Sequence, residues 1–270
     1  MKSRTKRLFI IWLCARSLVA LGQTQDPHEA QPERPTVATH AGTVTPGWLE
    51  IEAGGELDRY ADRSQGVVFP LTIKLGLSPN IQFSVFPSAV QPIGVNSIQV
   101  GDLAFGLKWR LADDLPILGR FAVLPSIKVP TGSTATGAGT GTVDGNMLLI
   151  SSNELGSVEL DINLGYTRRS GNGTTAPQSA TLWTISFGGP AVGVLGWTAE
   201  LYGFPGTRGD AGKSPVVAAL LGPTFTVETW LVLDLGIIEP VVGPQAHAVY
   251  CGCVWNIGRM WESSDKETKR

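Results

Sequence analysis

The sequence predicts an all-β protein, a closed antiparallel transmembrane β-barrel of about twelve strands. Three observations carry this. Apolar residues recur with a period of two over runs of about ten to thirteen residues, longer than the ~5–6 usual in soluble sheets. That length suits a tilted membrane crossing of ~9–11 residues. The connections between runs alternate short and long, as they do between the inner turns and outer loops of outer-membrane barrels.

The strands are expected near 46–56, 66–77, 80–89, 101–112, 119–131, 143–153, 156–169, 178–189, 192–204, 214–225, 227–238 and 246–257. Alternation is clearest in "DLAFGLKWRL", where Leu103, Phe105, Leu107, Trp109 and Leu111 share one parity. Asp102, Ala104, Gly106, Lys108 and Arg110 take the other. "SVELDINLGYTRR" repeats the pattern, with Glu159, Asp161 and Asn163 opposite Leu160, Ile162 and Leu164. In "GRFAVLPSIKV", Lys128 shares its parity with Ala122, Leu124 and Ser126. A charge on the lipid side costs about 2–4 kcal/mol at the midplane, so these charged parities must face the lumen. "SPN", "DDLPIL", "ELG", "GPA" and "ET" are the short turns; "GSTATGAGTGT" and "PGTRGDAGKS" are among the long loops. Trp48, Trp109 and Trp197 are expected in the inner aromatic girdle and Tyr166 in the outer one.

The flanks read differently. Lys2, Arg4, Lys6 and Arg7 precede the apolar "LFIIWLCARSLVA", interrupted by Arg16, and "ALG" at 20–22 offers small residues at a cleavage site. Residues 1–22 are therefore expected to be a signal peptide, too short for a membrane anchor. Residues 23–45 are polar, rich in Pro and Thr and aperiodic, and are expected to form a mobile N-terminal extension, either poorly ordered or folded loosely into the lumen. The barrel is assigned to 46–258 and a polar tail to 259–270.

Composition excludes other classes. Charged residues make up 16% of the 270, and the net charge of −2 gives no general attraction to nucleic acid. The three cysteines are Cys14, Cys251 and Cys253; the last two share a strand face, an arrangement poor for a disulfide and lacking companions for a metal. No cofactor and no metal is expected. "GAGTGT" at 137–142 precedes no helix, and "GKS" at 212–214 lacks the first glycine of a phosphate loop and runs into Pro215. "RGD" at 208–210 reads as a solvated loop, and "NGT" at 172–174 matters only in a eukaryotic secretory route. Only His28, His40 and His247 are available as imidazole bases, and none has a serine or acid partner by spacing, so no catalytic residue is assigned.

"GDLAFGLKWRL", then "LPSIKVPTGS", then "ELDINLGY" resemble the outer-membrane family named for the MetA pathway of phenol degradation. The residues carrying the resemblance are Gly101, Asp102, Lys108, Lys128, Pro130, Thr131 and Gly132. It is strongest over 100–170 and weaker toward "LVLDLGIIEPVVGP" and "VYCGCVWNIG"; the terminal aromatic usual in the family is replaced by "ESSDKETKR". The resemblance implies an outer-membrane transporter for aromatic or other apolar compounds in a Gram-negative-type bacterium.

The expected function is a non-enzymatic channel for small molecules, with the lipid bilayer and a small solute as partners, no nucleic acid, and a monomeric state as is usual for barrels of this size. A structural or adhesive barrel and a barrel hydrolase are the alternatives; Glu159 and Asp161 would be the carboxylate pair of the last. The candidate lumen residues are Asp102, Lys108, Arg110, Lys128, Glu159 and Asp161. Lys108 and Arg110 are expected to pair with Glu159, Asp161 and Asp102, leaving Lys128 nearer the outer mouth.

Overall fold

The computed structural model describes residues 26–174, 176–209 and 211–262. The expected signal peptide, Cys14, Asp210 and all but the first residues of the polar tail lie outside them. The described residues contain no helix. They form β1 (Trp48–Arg59), β2 (Gln65–Ser78), β3 (Ile81–Phe86), β4 (Ser88–Gln91), β5 (Gln99–Val100), β6 (Leu103–Leu115) and β7 (Gly119–Val129). These are followed by β8 (Asp144–Leu155), β9 (Val158–Arg169), β10 (Ser179–Val192), β11 (Leu195–Phe204), β12 (Val216–Glu228), β13 (Leu231–Val242) and β14 (His247–Arg259).

Each strand pairs antiparallel with its neighbours, and β1 pairs with β14 from Trp48↔Arg259 to Arg59↔His247, which closes the sheet. Closure leaves no edge, the condition for a sheet in hydrocarbon. β3 and β4 both pair with β2 and form one wall, broken at Pro87, where the ring nitrogen has no N–H for the ladder. β5 pairs with β4 just ahead of β6. The wall is therefore a twelve-stranded barrel.

Connections at one end are two or three residues long and those at the other mostly longer, which assigns the periplasmic and outer ends. Gly156 and Gly193 occupy the first position of two-residue turns with φ of 74° and 59°, the left-handed conformation such hairpins require. The expected long loop between the last two strands shrinks to 243–246. Residues 239–242 extend β13 by pairing with β12, while the β13–β14 ladder ends at Ile238↔Ala248.

The two parities separate as the hydrophobic pattern demands. Leu107, Trp109, Leu111, Ile162, Leu164 and Tyr166 are exposed on the outer wall, whereas Lys108 and Asn163 between them are fully buried inside. Such an apolar outer belt on a closed sheet is the surface that meets lipid tails. Cys251 and Cys253 are free thiols, and Cys251 lies exposed on the same lipid-facing parity as Val249 and Trp255.

The lumen is layered. In its outer half Tyr202, Ala218, Leu220, Ile238, Ala248 and Tyr250 form one apolar cluster. Ala122, Leu124, Leu148 and Ile150 form another together with Ala41. The inner half is largely polar, with Glu50, Glu52, Lys74, Gln82, Lys108 and Asp234 buried beside one small apolar cluster of Ala30, Val232 and Val254. Asn163 and Glu200 lie at mid-depth, across from Ile150 and Leu220.

Candidate functional site: a plugged lumen

Of the two placements expected for the N-terminal extension, the described residues 26–46 take the one inside the barrel, where ordered contacts hold them. Residues 26–46 enter at the periplasmic end, climb to mid-barrel and return to start β1. At the entrance the Ala30 N–H donates to the Thr229 carbonyl in the β12–β13 turn. The His28 ring stacks on Trp230 at 5.7 Å and lies 4.9 Å from Trp48. At the exit the Val44 N–H donates to Gln82 Oε1 at 3.0 Å, and the Gly47 N–H to the Gly76 carbonyl. Ala38, Ala41 and Val44 have at most 2% of their surface exposed.

The physical reason is a matter of hydrogen-bond partners. An extended, aperiodic segment cannot satisfy its own backbone, and buried N–H groups must be paired. The lumen wall supplies the acceptors as side chains. Gln31 N–H donates to Glu50 at 2.7 Å and Glu33 N–H to Glu52 at 2.8 Å. Val37 and Ala38 both donate to Glu200, at 2.8 and 2.7 Å. Thr39 donates to Asn163 Oδ1 and Ala41 to Ser152 Oγ, each at 2.8 Å. Five strands around the ring, β1, β3, β8, β9 and β11, thus hold the segment by its main chain.

Three cations brace the plug from side to side. Lys74, fully buried on β2, stands 2.6 Å from both Glu50 and Glu52 and donates to the Gln31 carbonyl at 2.6 Å. The Glu52 contact is a hydrogen bond; the Glu50 contact is an ion pair without hydrogen-bond alignment. Lys108 is equally buried on β6 and contacts Glu33 of the plug, with the carbonyls of His40 and Gly42 at 2.9 and 3.1 Å. Arg34 reaches the opposite wall and grips Asp234 of β13 through Nη2 at 3.0 Å and Nε at 3.2 Å.

Arg34 fits because two glycines make room. Gly54 and Gly252 are cross-strand partners at the β1–β14 seam, and a side-chain carbon on either would overlap the guanidinium. The slot explains why an alternating strand carries a glycine where neighbouring inward positions carry carboxylates.

Of the six lumen residues expected from sequence, all lie on the inner wall or at its rim, but they are not one network. Asp102 and Lys128 pair at 2.7 Å at the outer mouth, with Asp144 3.3 Å from the same ammonium and Arg169 3.1 Å from Asp144. Arg110 pairs at 2.9 Å with Asp113 of its own strand and donates to the Pro79 carbonyl at the periplasmic turn. Asp161 accepts a hydrogen bond from Ser152 at 2.5 Å, and neither it nor Glu159 makes an ion pair among the described residues. The expected pairing of Lys108 with Glu159 and Asp161 is replaced by Glu33, which the plug carries directly to the ammonium. Glu33, Arg34, Glu50, Glu52, Lys74, Glu200 and Asp234 were missed. The wall residues among them stand on inward parities of "WLEIEAG", "LTIKLGL", "WTAELYG" and "LVLDLGI", so alternation could have found them; nothing in the sequence pairs them with the plug.

Asp102 organises the outer mouth. It also accepts from the N–H groups of Gly132 and Thr140, each at 3.0 Å, and so folds the 130–143 loop inward. Burial works to raise its pKa, but Lys128 and the two N–H donors outweigh burial and hold the carboxyl below its ordinary range. A folded pKa below the unfolded ~3.9 leaves the clamp at full strength above that value and releases it only as pH falls through the folded one. Protease nicking of this loop will therefore be constant from about pH 8 to pH 5, and Asp102→Asn will raise it throughout. An increase already at about pH 6 in the unaltered protein would contradict the clamp.

The plug divides the free space. Outside it lies a cavity of about 380 Å³ with Phe86, Leu124, Leu148, Tyr202, Leu220 and Ile238 in its walls. Inside lie cavities of about 390 and 450 Å³ that Glu159 and Asp161 both line. Arg34, Pro35 and Thr36 line both the outer cavity and the larger inner one, so this short piece of plug is the partition.

These features define a class: an outer-membrane β-barrel whose lumen is plugged by its own N-terminal segment. Residues 42–237 match the family described as MetA-pathway of phenol degradation, and the chain belongs to it. Among solved structures, the COG4313 outer membrane channel from Pseudomonas putida F1 superimposes with a TM-score of 0.61 at 12% identity, covering 80% of this chain and 97% of that one. The KdgM porin gives 0.53 at 10% identity, covering 77% and 99%. The translocator domain of autotransporter NalP from Neisseria meningitidis gives 0.50 at 14%, covering 77% and 88%. At these identities the likeness is one of fold. No curated protein matches the chain.

Proposed function

We propose that this protein is a non-enzymatic channel that carries small apolar or aromatic molecules across the outer membrane, with residues 26–46 as a plug that must shift to open it. The observation that supports this most is the pairing of a two-sided outer chamber, apolar along Phe86, Leu124, Leu148, Tyr202, Leu220 and Ile238 and polar along Glu52, Glu56 and Thr72, with a partition held by polar contacts. The chamber walls offer aromatic and branched side chains to a solute of matching surface. The partition is fixed by hydrogen bonds and ion pairs that water can replace once it enters. The charged rim of Asp102, Lys128, Asp144 and Arg169 leads into the chamber, and Glu159 and Asp161 face the exit, so four of the six sequence-derived residues line the route. Lys108 instead holds the plug, and Arg110 lies at the periplasmic turn.

Purified protein in liposomes tests the reading. Phenyl glucoside and glucose both cross bare lipid slowly, and the first is larger. The apolar chamber predicts faster entry of phenyl glucoside than of glucose. Entry in order of size, glucose first, would indicate an unselective pore, and entry of neither would end the transport reading.

A further inference from the structure

The charges along the lumen are not balanced in the way the plug's own contacts suggest. Each central cation is committed: Lys74 to Glu50 and Glu52, Lys108 to Glu33, and Arg34 to Asp234. On the outer side of the partition, Glu56 lines the apolar cavity and Asp58 follows it two residues later on the same inward parity. Neither makes an ion pair among the described residues, and Asp58 Oδ1 is a buried atom with no hydrogen-bond partner. On the inner side, Glu159 and Asp161 line both cavities, again without an ion pair. The nearby Arg120 is taken by Glu154 at 3.0 Å. Among the described residues that line these cavities, the charges left without an ion pair before and after the partition are therefore carboxylates.

We infer that this lumen selects its solutes by charge and favours apolar molecules bearing a positive group over equally sized anions. The inference rests on the transport reading above and adds a substrate class to it. An apolar body fits the walls of the outer chamber, and an ammonium group finds Glu56 and Asp58 at one side of those walls. When the plug shifts, Glu200 loses its two N–H donors and Asp234 loses Arg34, which adds two carboxylates to the path, while Lys108 loses Glu33 and is the one wall cation released. Among the described residues along this path, an anion meets only one freed wall cation, Lys108, against the larger set of carboxylates. Inside a low-dielectric wall a single such contact is felt more strongly than in water.

The test uses the full protein in liposomes loaded with benzyltrimethylammonium, benzenesulfonate and phenyl glucoside together. The membrane potential is held at zero with potassium and valinomycin, and release of all three is followed. The ammonium is expected to leave at least about fivefold faster than the sulfonate, the factor that a preference of ~1 kcal/mol produces. The ratio should fall toward one in a Glu56→Gln, Asp161→Asn double variant. It should also fall in the unaltered protein at about 1 M salt, where charges are screened beyond roughly 3 Å; this arm needs no variant to fold. A ratio near one in the unaltered protein, or one that survives both the substitutions and the salt, overturns the charge selection. Release of phenyl glucoside separates the two levels: if it is released without any charge ratio, only this inference fails, and if nothing is released the transport reading fails with it.

Discussion

Arg34→Ala will raise solute flux through the barrel by one to two orders of magnitude while leaving the barrel folded. Arg34 is the plug's only side-chain ion pair with the far wall among the described residues, and its partner Asp234 has 2% of its side chain exposed. Removing one member of a buried pair costs about 3–5 kcal/mol, because the other charge is stranded. Here the stranded carboxylate has a remedy that a sealed core lacks: the plug can move off and admit water. The penalty therefore falls on the plugged state alone, and ~3 kcal/mol is more than a hundredfold in population. Arg34→Lys will give a smaller rise, since an ammonium keeps the charge but not the two-pronged grip. Gly54→Ala tests the same latch from the wall without touching any charge, because the atoms nearest a methyl group there all belong to the guanidinium. At Gly252 a methyl group overlaps the guanidinium and also the Ala53 carbonyl of the seam, so Gly252→Ala is the second, less clean probe. All of them should keep the heat-dependent gel mobility of a closed barrel. Unchanged flux in Arg34→Ala and in both glycine variants would show that the segment does not gate the lumen.

Lys74→Met has the largest expected effect on stability. The ammonium is fully buried between Glu50 and Glu52, both also buried, with Glu33 at 3.8 Å. Unlike Arg34, it sits where wall and plug meet on strands that also close the barrel. Methionine fills the space but leaves three carboxylates facing one another, and about 3–5 kcal/mol should be lost. Glu50→Gln and Glu52→Gln, added to Lys74→Met, remove the stranded charges and should restore most of it, because satisfied neutral groups are cheaper to bury than unpaired ions. Urea unfolding in vesicles measures both. A Lys74→Met protein as stable as the unaltered one, or a triple variant no better than the single, would mean that the cluster is hydrated rather than sealed.

The two variants mark the boundary between what could be read from the sequence and what could not. Strand positions and inward parities were legible because lipid enforces a period of two on the outer face: Leu107 and Trp109 outside dictate Lys108 inside. Depth was also legible in part, since Lys128 falls near the outer mouth by counting along its strand; Asp102, expected with Lys108 and Arg110, lies at the rim beside Lys128 instead. Partnership was not. Lys108 looks, from β6 and β9 alone, as if it should meet Asp161, and it meets Glu33 because a segment without periodicity threads between them. The lumen was one of two placements legible for the plug, but its contacts were unreadable for the same reason. Its fit depends on main-chain N–H groups, which every residue carries, meeting side-chain acceptors scattered over five strands. The one local hint was negative: Gly54 and Gly252, small residues in a row of inward carboxylates and aromatics, leave a space that only a distant side chain could fill.

Labelling of residue 38 tests the central claim, that residues 26–46 occupy the lumen and must move for solute to pass. Ala38 has 2% of its surface exposed beneath the apolar chamber, and its N–H donates to Glu200. With the native cysteines replaced by serine, an Ala38→Cys protein in liposomes is exposed to a water-soluble maleimide while phenyl glucoside flux is followed in parallel. The account predicts slow labelling in the otherwise unaltered protein and an acceleration in Arg34→Ala that matches its gain in flux. Rapid labelling with the latch intact, or faster labelling in Arg34→Ala with no change in flux, would contradict it.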